Sequence, residues 1–122
     1  MVKIRQYIRV LKSLIRKGAA KMAKNKVYID QYLEFLIPQF LENREEDIKK
    51  LEKLLQESEY DQIRIIGHSM KGSGGGYGFD YLTEIGSEIE KKAELENKDE
   101  IKKLIEELKN YLNNIEIIYE EK

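Results

Sequence analysis

The chain holds a single histidine, His68, in the run Ile65-Ile66-Gly67-His68-Ser69-Met70-Lys71-Gly72-Ser73-Gly74-Gly75-Gly76-Tyr77-Gly78-Phe79. On a helix, Ile63, Ile66, Met70 and Tyr77 share one stripe that must turn inward. His68 then points to solvent, with Arg64 one turn before it and Lys71, Gly72 and Gly75 after it on the same face. The pattern predicts an exposed imidazole with a cation one turn on and no bulky side chain beneath it. Neutral imidazole is a nitrogen nucleophile near neutral pH, since an unperturbed histidine titrates at about 6.5. A phosphoryl group on that nitrogen sits in a reactive P–N bond and can be handed on. Lys71 would offset the charge of the phosphoryl oxygens. Gly72 and Gly75 would clear space for a partner's approach. A glycine inside a helix costs about 1 kcal/mol against alanine, so several beside the lone histidine need a reason. Part of that reason is structural: residues 74–78 should end the helix, with Gly78 suited to a left-handed cap.

Other chemistry finds less support. A lone histidine is usually a surface or half-buried structural residue, and only its neighbours argue otherwise. One histidine and no cysteine make a poor metal set, and Ile65 stands where a Glu-x-x-His pair would need its acid. The 23 acids follow a solvated helical pattern. Nothing fits a phosphate-cradling glycine loop, because Gly67 to Ser73 lacks the Gly-Lys-Ser/Thr ending and 72–78 does not fit GxGxxG. The tyrosines, among them Tyr32, Tyr77, Tyr81, Tyr111 and Tyr119, suit core or rim packing.

The elements that must position His68 read as helices. Leu33, Leu36, Ile37, Phe40, Leu41, Ile48, Leu51, Leu54 and Leu55 recur at three- and four-residue steps. Asp30 is a candidate N-cap, and Pro38 marks a break or a fresh first turn. This predicts a short helix near 31–36 and a longer one near 38–57. The His68 helix follows Ser58–Asp61, with Gly67 and Gly74 along its inward stripe. A third helix starts at Asp80, a candidate N-cap, with Leu82, Ile85, Gly86, Ile89 and Ala93 inward. Asn97–Asp99 punctuates. The last helix carries Ile101, Leu104, Ile105, Leu108, Tyr111, Leu112, Ile115, Ile118 and Tyr119 to the C-terminus. No strand-like alternation persists, so an all-α, antiparallel up-down four-helix bundle is expected.

At 122 residues the chain suits one domain, with 41% hydrophobic and 37% charged residues. The absence of cysteine fits a reducing cytoplasm. No apolar run approaches the roughly 20 residues a membrane helix needs. The net charge of −1 hides an asymmetry: residues 1–29 carry nine bases and no acid, and the rest carries 13 bases against all 23 acids. That acidic body is a poor holder of nucleic acid. Residues 1–26 read as a basic extension and 27–122 as the bundle domain. Within the extension, Ile4, Tyr7, Ile8, Leu11, Leu14 and Ile15 form one face of an additional basic amphipathic helix. Residues 2–17 are a candidate for membrane or partner contact, but the apolar face is short and has no Trp or Phe, which argues against membrane.

His68-Ser69-Met70-Lys71-Gly72-Ser73, with Gly78 ten residues after the histidine, resembles the motif of histidine-containing phosphotransfer (HPt) domains. That pattern reads roughly His-x-Leu-Lys-Gly-Ser-Ser-x-x-x-Gly. Met70 replaces its leucine and keeps an apolar position; Gly74 replaces its second serine and removes a hydroxyl. The resemblance covers about residues 28–119. It implies a four-helix bundle that takes a phosphoryl group on His68, through Nε2, and exchanges it with the aspartate of a response-regulator receiver domain. By the same resemblance Lys71 stabilises phosphoryl charge and Gly72 gives clearance; Arg64, Ser73 and Gly75, beside them in sequence or on the helix, are further candidates to face the partner. No cofactor would be bound by this chain; Mg²⁺ would sit on the receiver. A hybrid histidine kinase is a second partner the resemblance allows, and the chain would be a carrier module rather than an enzyme. The competing reading is a helical adaptor that binds a receiver or other partner through the same face without being phosphorylated.

Overall fold

The computed structural model describes residues 26–121. They form a strand β1 (Lys26–Asp30), a 3-10 helix (Gln31–Leu36), helices α1 (Ile37–Gln56), α2 (Tyr60–Tyr77), α3 (Asp80–Glu94) and α4 (Lys98–Asn114), and a strand β2 (Glu116–Glu120). The connections between helices are two or three residues long, which forces antiparallel neighbours. α1 packs on α2 and α4, and α3 packs on the same two, so the four close into a bundle. Its interior is filled by the stripes that the periodicity picked out, with Ile37, Leu41, Leu51, Ile63, Met70, Leu82, Ile89, Ile101 and Leu108 fully buried. The basic extension expected at 1–26, and with it the additional amphipathic helix, lies outside the described residues apart from Lys26.

Local chemistry sets most helix ends. The Asp30 carboxylate accepts from the Tyr32 amide at 2.9 Å and starts the 3-10 turn. Pro38 stands in the first turn of α1, where its missing N–H is no loss. α2 ends on Gly78 at φ 89°, and the Phe79 amide reaches back to the Gly74 carbonyl at 2.8 Å. α1 and α3 end the same way on residues poorly suited to it, Ser58 at φ 54° and Glu96 at φ 52°. Asn97 caps α4 by accepting from the Glu100 amide at 3.2 Å.

Two expectations need correction. Asp80 is not the cap of α3: buried Phe79 holds that place, and Asp80 lies in the first turn, where its charge suits the helix dipole. The last helix does not run to the C-terminus. It stops at Asn114, Ile115 turns extended, and β2 pairs parallel with β1, Val27 beside Ile117 and Ile29 beside Tyr119. Isoleucine and tyrosine favour strands, and a short apolar run fits a helix stripe and a buried strand equally well. β1 does alternate, with Val27 and Ile29 inward and Tyr28 outward, but over only five residues.

Candidate functional site

His68 stands on the solvent side of α2 with its side chain 68% exposed. It is not isolated. Across the α2–α3 seam its Nδ1 lies 2.9 Å from Glu90 Oε2. The other carboxylate oxygen, Oε1, lies 3.8 Å from Lys71 Nζ. An ionised carboxylate only accepts, so the proton of the neutral ring belongs on Nδ1 and the lone pair on Nε2. One carboxylate thus orients the imidazole and holds the ammonium group of the next turn beside it. Glu90 itself is mostly covered, at 16% exposure, so its charge acts where water screens it less than at the open surface.

The seam is close because glycine lines it on both sides. Gly67 and Gly86 are buried against each other's helix backbone. The Thr83 hydroxyl donates to the Lys71 carbonyl at 3.1 Å and ties the two helices one turn on. Gly74 is buried beneath Thr83: a Cβ there would meet Thr83 Oγ1 at 2.7 Å and its backbone nitrogen at 2.9 Å. The motif's second serine would bring that same Cβ.

The remaining residues singled out from the sequence separate three ways. Gly72 and Gly75 are exposed beyond His68; a Cβ on Gly72 would meet nothing within 4 Å, and one on Gly75 only Thr83 Oγ1 at 3.6 Å. Ser73 is turned toward α1, where its hydroxyl accepts from Arg44 Nη1 at 2.9 Å. Arg44 in turn donates from Nε to Asp47 at 2.9 Å and lies 4.9 Å over the Phe40 ring. Phe40 packs on Tyr77 and Phe79 at the end of α2. Burial pushes the Asp47 carboxyl above its ordinary value, against the pull of the Arg44 guanidinium. Arg64 is half-buried a turn before the histidine and stands outside the His68–Glu90–Lys71 group.

Two neighbours escaped the reading of the sequence. Glu90 is the more important, and its signal was the glycine in each of two successive apolar stripes, Gly67 and Gly86. The second is Ile65, 57% exposed at three residues before His68, so that face is not free of bulky side chains. Among the described residues no three His, Cys, Asp or Glu side chains gather as a metal site. No described helix is long and apolar enough to cross a membrane.

A family model described as "Hpt domain" matches residues 36–116, a span that holds all four helices and the His68–Glu90–Lys71 group. No curated protein and no solved structure matches the chain.

Proposed function

Because the chain belongs to the Hpt domain family, whose members carry phosphoryl groups in two-component phosphorelays, we propose that His68 is its phosphoryl acceptor and exchanges the group with the aspartate of a response-regulator receiver domain. The observation that carries this reading is the bond from His68 Nδ1 to Glu90, which leaves the lone pair on Nε2 of an exposed ring. In the forward step that lone pair forms the N–P bond, and the P–O bond to the receiver's aspartate breaks, releasing its carboxylate. The proton stays on Nδ1. The ring gains positive charge as the bond forms, and Glu90 offsets it, as a buried acid does for a catalytic histidine. Lys71, half-exposed and a single helical turn away, can leave Glu90 for the phosphoryl oxygens. In the reverse step the ring departs neutral, already in the tautomer it needs for the next round.

The open ground at Gly72 and Gly75 supports a docked partner on that side of His68, and Ile65 offers an apolar contact on the other. Ser73, engaged with Arg44, would serve docking through the placement of α2 rather than by touching the partner. Mg²⁺ would come with the receiver, a hybrid histidine kinase is the proposed upstream donor, and the cytoplasm is the proposed setting.

The test is incubation with receiver domains charged by labelled acetyl phosphate, followed by mapping of the label. We expect an acid-labile, alkali-stable adduct on His68, lost in His68→Gln with helical content unchanged. Label that survives the substitution refutes the assignment. Retained receiver binding without any label would favour the adaptor reading.

A further inference from the structure

The glycines at the α2–α3 crossing do more than let two helices touch. A Cβ on Gly67 would lie 2.8 Å from the Glu90 backbone nitrogen and 2.9 Å from the Gly86 carbonyl oxygen. A Cβ on Gly86 would lie 2.7 Å from the Lys71 nitrogen, 2.8 Å from the Gly67 carbonyl oxygen and 3.1 Å from the Lys71 Cα. Each glycine therefore rests on the backbone of a site residue carried by the opposite helix, and Gly67 is also the neighbour of His68. These contacts are with main-chain atoms, which cannot swing aside as a side-chain tip can.

We infer that Gly67 and Gly86 are positioning residues that set the seam depth at which Glu90 reaches His68, and so fix the tautomer of the phosphoryl-accepting ring; this rests on His68 being that acceptor. Ordinary van der Waals contact begins near 3.4 Å. A Cβ at 2.7 Å must open the seam by about 0.7 Å, since interiors pack too tightly to absorb it elsewhere. If Glu90 moves with its helix, the 2.9 Å bond to Nδ1 lengthens to about 3.6 Å, beyond hydrogen-bonding distance. The Lys71–Glu90 contact, already 3.8 Å, opens with it. Helix propensity alone would favour alanine at both places, so glycine there runs against the local preference.

The experiment uses the whole chain with ¹⁵N-labelled histidine. Long-range ¹H–¹⁵N correlations read the His68 tautomer without any phosphoryl transfer, and label exchange with a charged receiver reads the rate. Gly86→Ala and Gly67→Ala should keep their helical content, lose the Nδ1–H preference and slow transfer by about tenfold, in line with the cost of sub-ångström to ångström misplacement. Glu90→Asp, which withdraws the carboxylate without touching the seam, should give the same tautomer change. Gly76→Ala, where a Cβ meets nothing within 4 Å, should leave tautomer and rate unchanged. A folded Gly86→Ala with a wild-type tautomer overturns the inference, as does Glu90→Asp with a wild-type tautomer. Failure of both glycine variants to fold also overturns it, by making the pair a folding requirement only. If the tautomer moves as expected but no variant and no wild type takes label, the positioning stands and the acceptor assignment falls.

Discussion

Two glycines separated by one residue on α2 should respond to alanine with opposite signs. At Gly76 a Cβ meets nothing within 4 Å. Alanine there gains helix propensity, worth up to about 1 kcal/mol in a helix interior and nearer half that in the last turn. At Gly74 the same propensity gain is set against a Cβ 2.7 Å from Thr83 Oγ1, 2.9 Å from Thr83 N and 3.1 Å from the Phe79 carbonyl oxygen. Threonine can rotate, but the other two atoms are backbone, one in the turn before α3 and one in its first turn. Overpacking of this kind costs about 1–3 kcal/mol, which leaves a net loss of about 1–2 kcal/mol. For a domain of this size about 1 kcal/mol moves the midpoint by roughly 4–8 °C. Gly74→Ala should therefore melt about 5–10 °C below wild type and Gly76→Ala a few degrees above it. Circular dichroism during heating and during urea unfolding measures both, and equal urea slopes would show that the unfolded states are comparable. Shifts of the same sign at the two positions would refute the reasoning, because propensity rather than the seam would then govern this stretch. Gly74→Ser, which restores the motif's hydroxyl, should be no better than alanine.

Three further outcomes follow from other parts of the molecule. Glu96→Gly relieves a left-handed residue after α3, at φ 52°, and should stabilise by about 0.5–1 kcal/mol in urea unfolding, net of the added freedom of the unfolded chain. Asp47→Asn tests the raised carboxyl beside Arg44. A raised acid favours folding while protonated, and this contribution is lost as pH climbs through its folded value. The variant should thus match wild type below the ordinary value of 3.8 and gain on it as pH rises; a constant difference would contradict the burial argument. Ile65→Asp, at a side chain 57% exposed, should leave the melting midpoint within about 2 °C but weaken receiver binding several-fold by titration calorimetry. Unchanged affinity would place the docking surface elsewhere.

The sequence was legible where local chemistry and burial agree. Gly78 and the apolar stripes of α1 to α3 each have one physical reading, and the structure follows it; Pro38 fitted a break or a fresh first turn, and it stands in the first turn of α1. His68 was legible because a polar residue opposite a strong apolar stripe has only solvent to face. Three features were hidden for definable reasons. Ile115 to Tyr119 satisfy a helical stripe as well as a buried strand, and only pairing with 26–30 decides between them. Glu90 is one of many acids on α3 and α4, and its partner lies 22 positions away. Ser73 sits beside His68 in sequence but turns to Arg44 on α1, which the motif alone does not disclose.

The parallel pairing of β1 with β2 has a mechanical consequence. Lys26 lies beside Glu116 and Asp30 beside Glu120, so tension applied at the start of the first strand and the end of the second drags them past each other lengthwise. The cross-strand bonds then share the load and must fail together, whereas a hairpin under the same pull unzips a rung at a time. The pair thus acts as a shear clamp across the ends of the described residues, and the clamp should set the force at which the His68 helix is first disturbed.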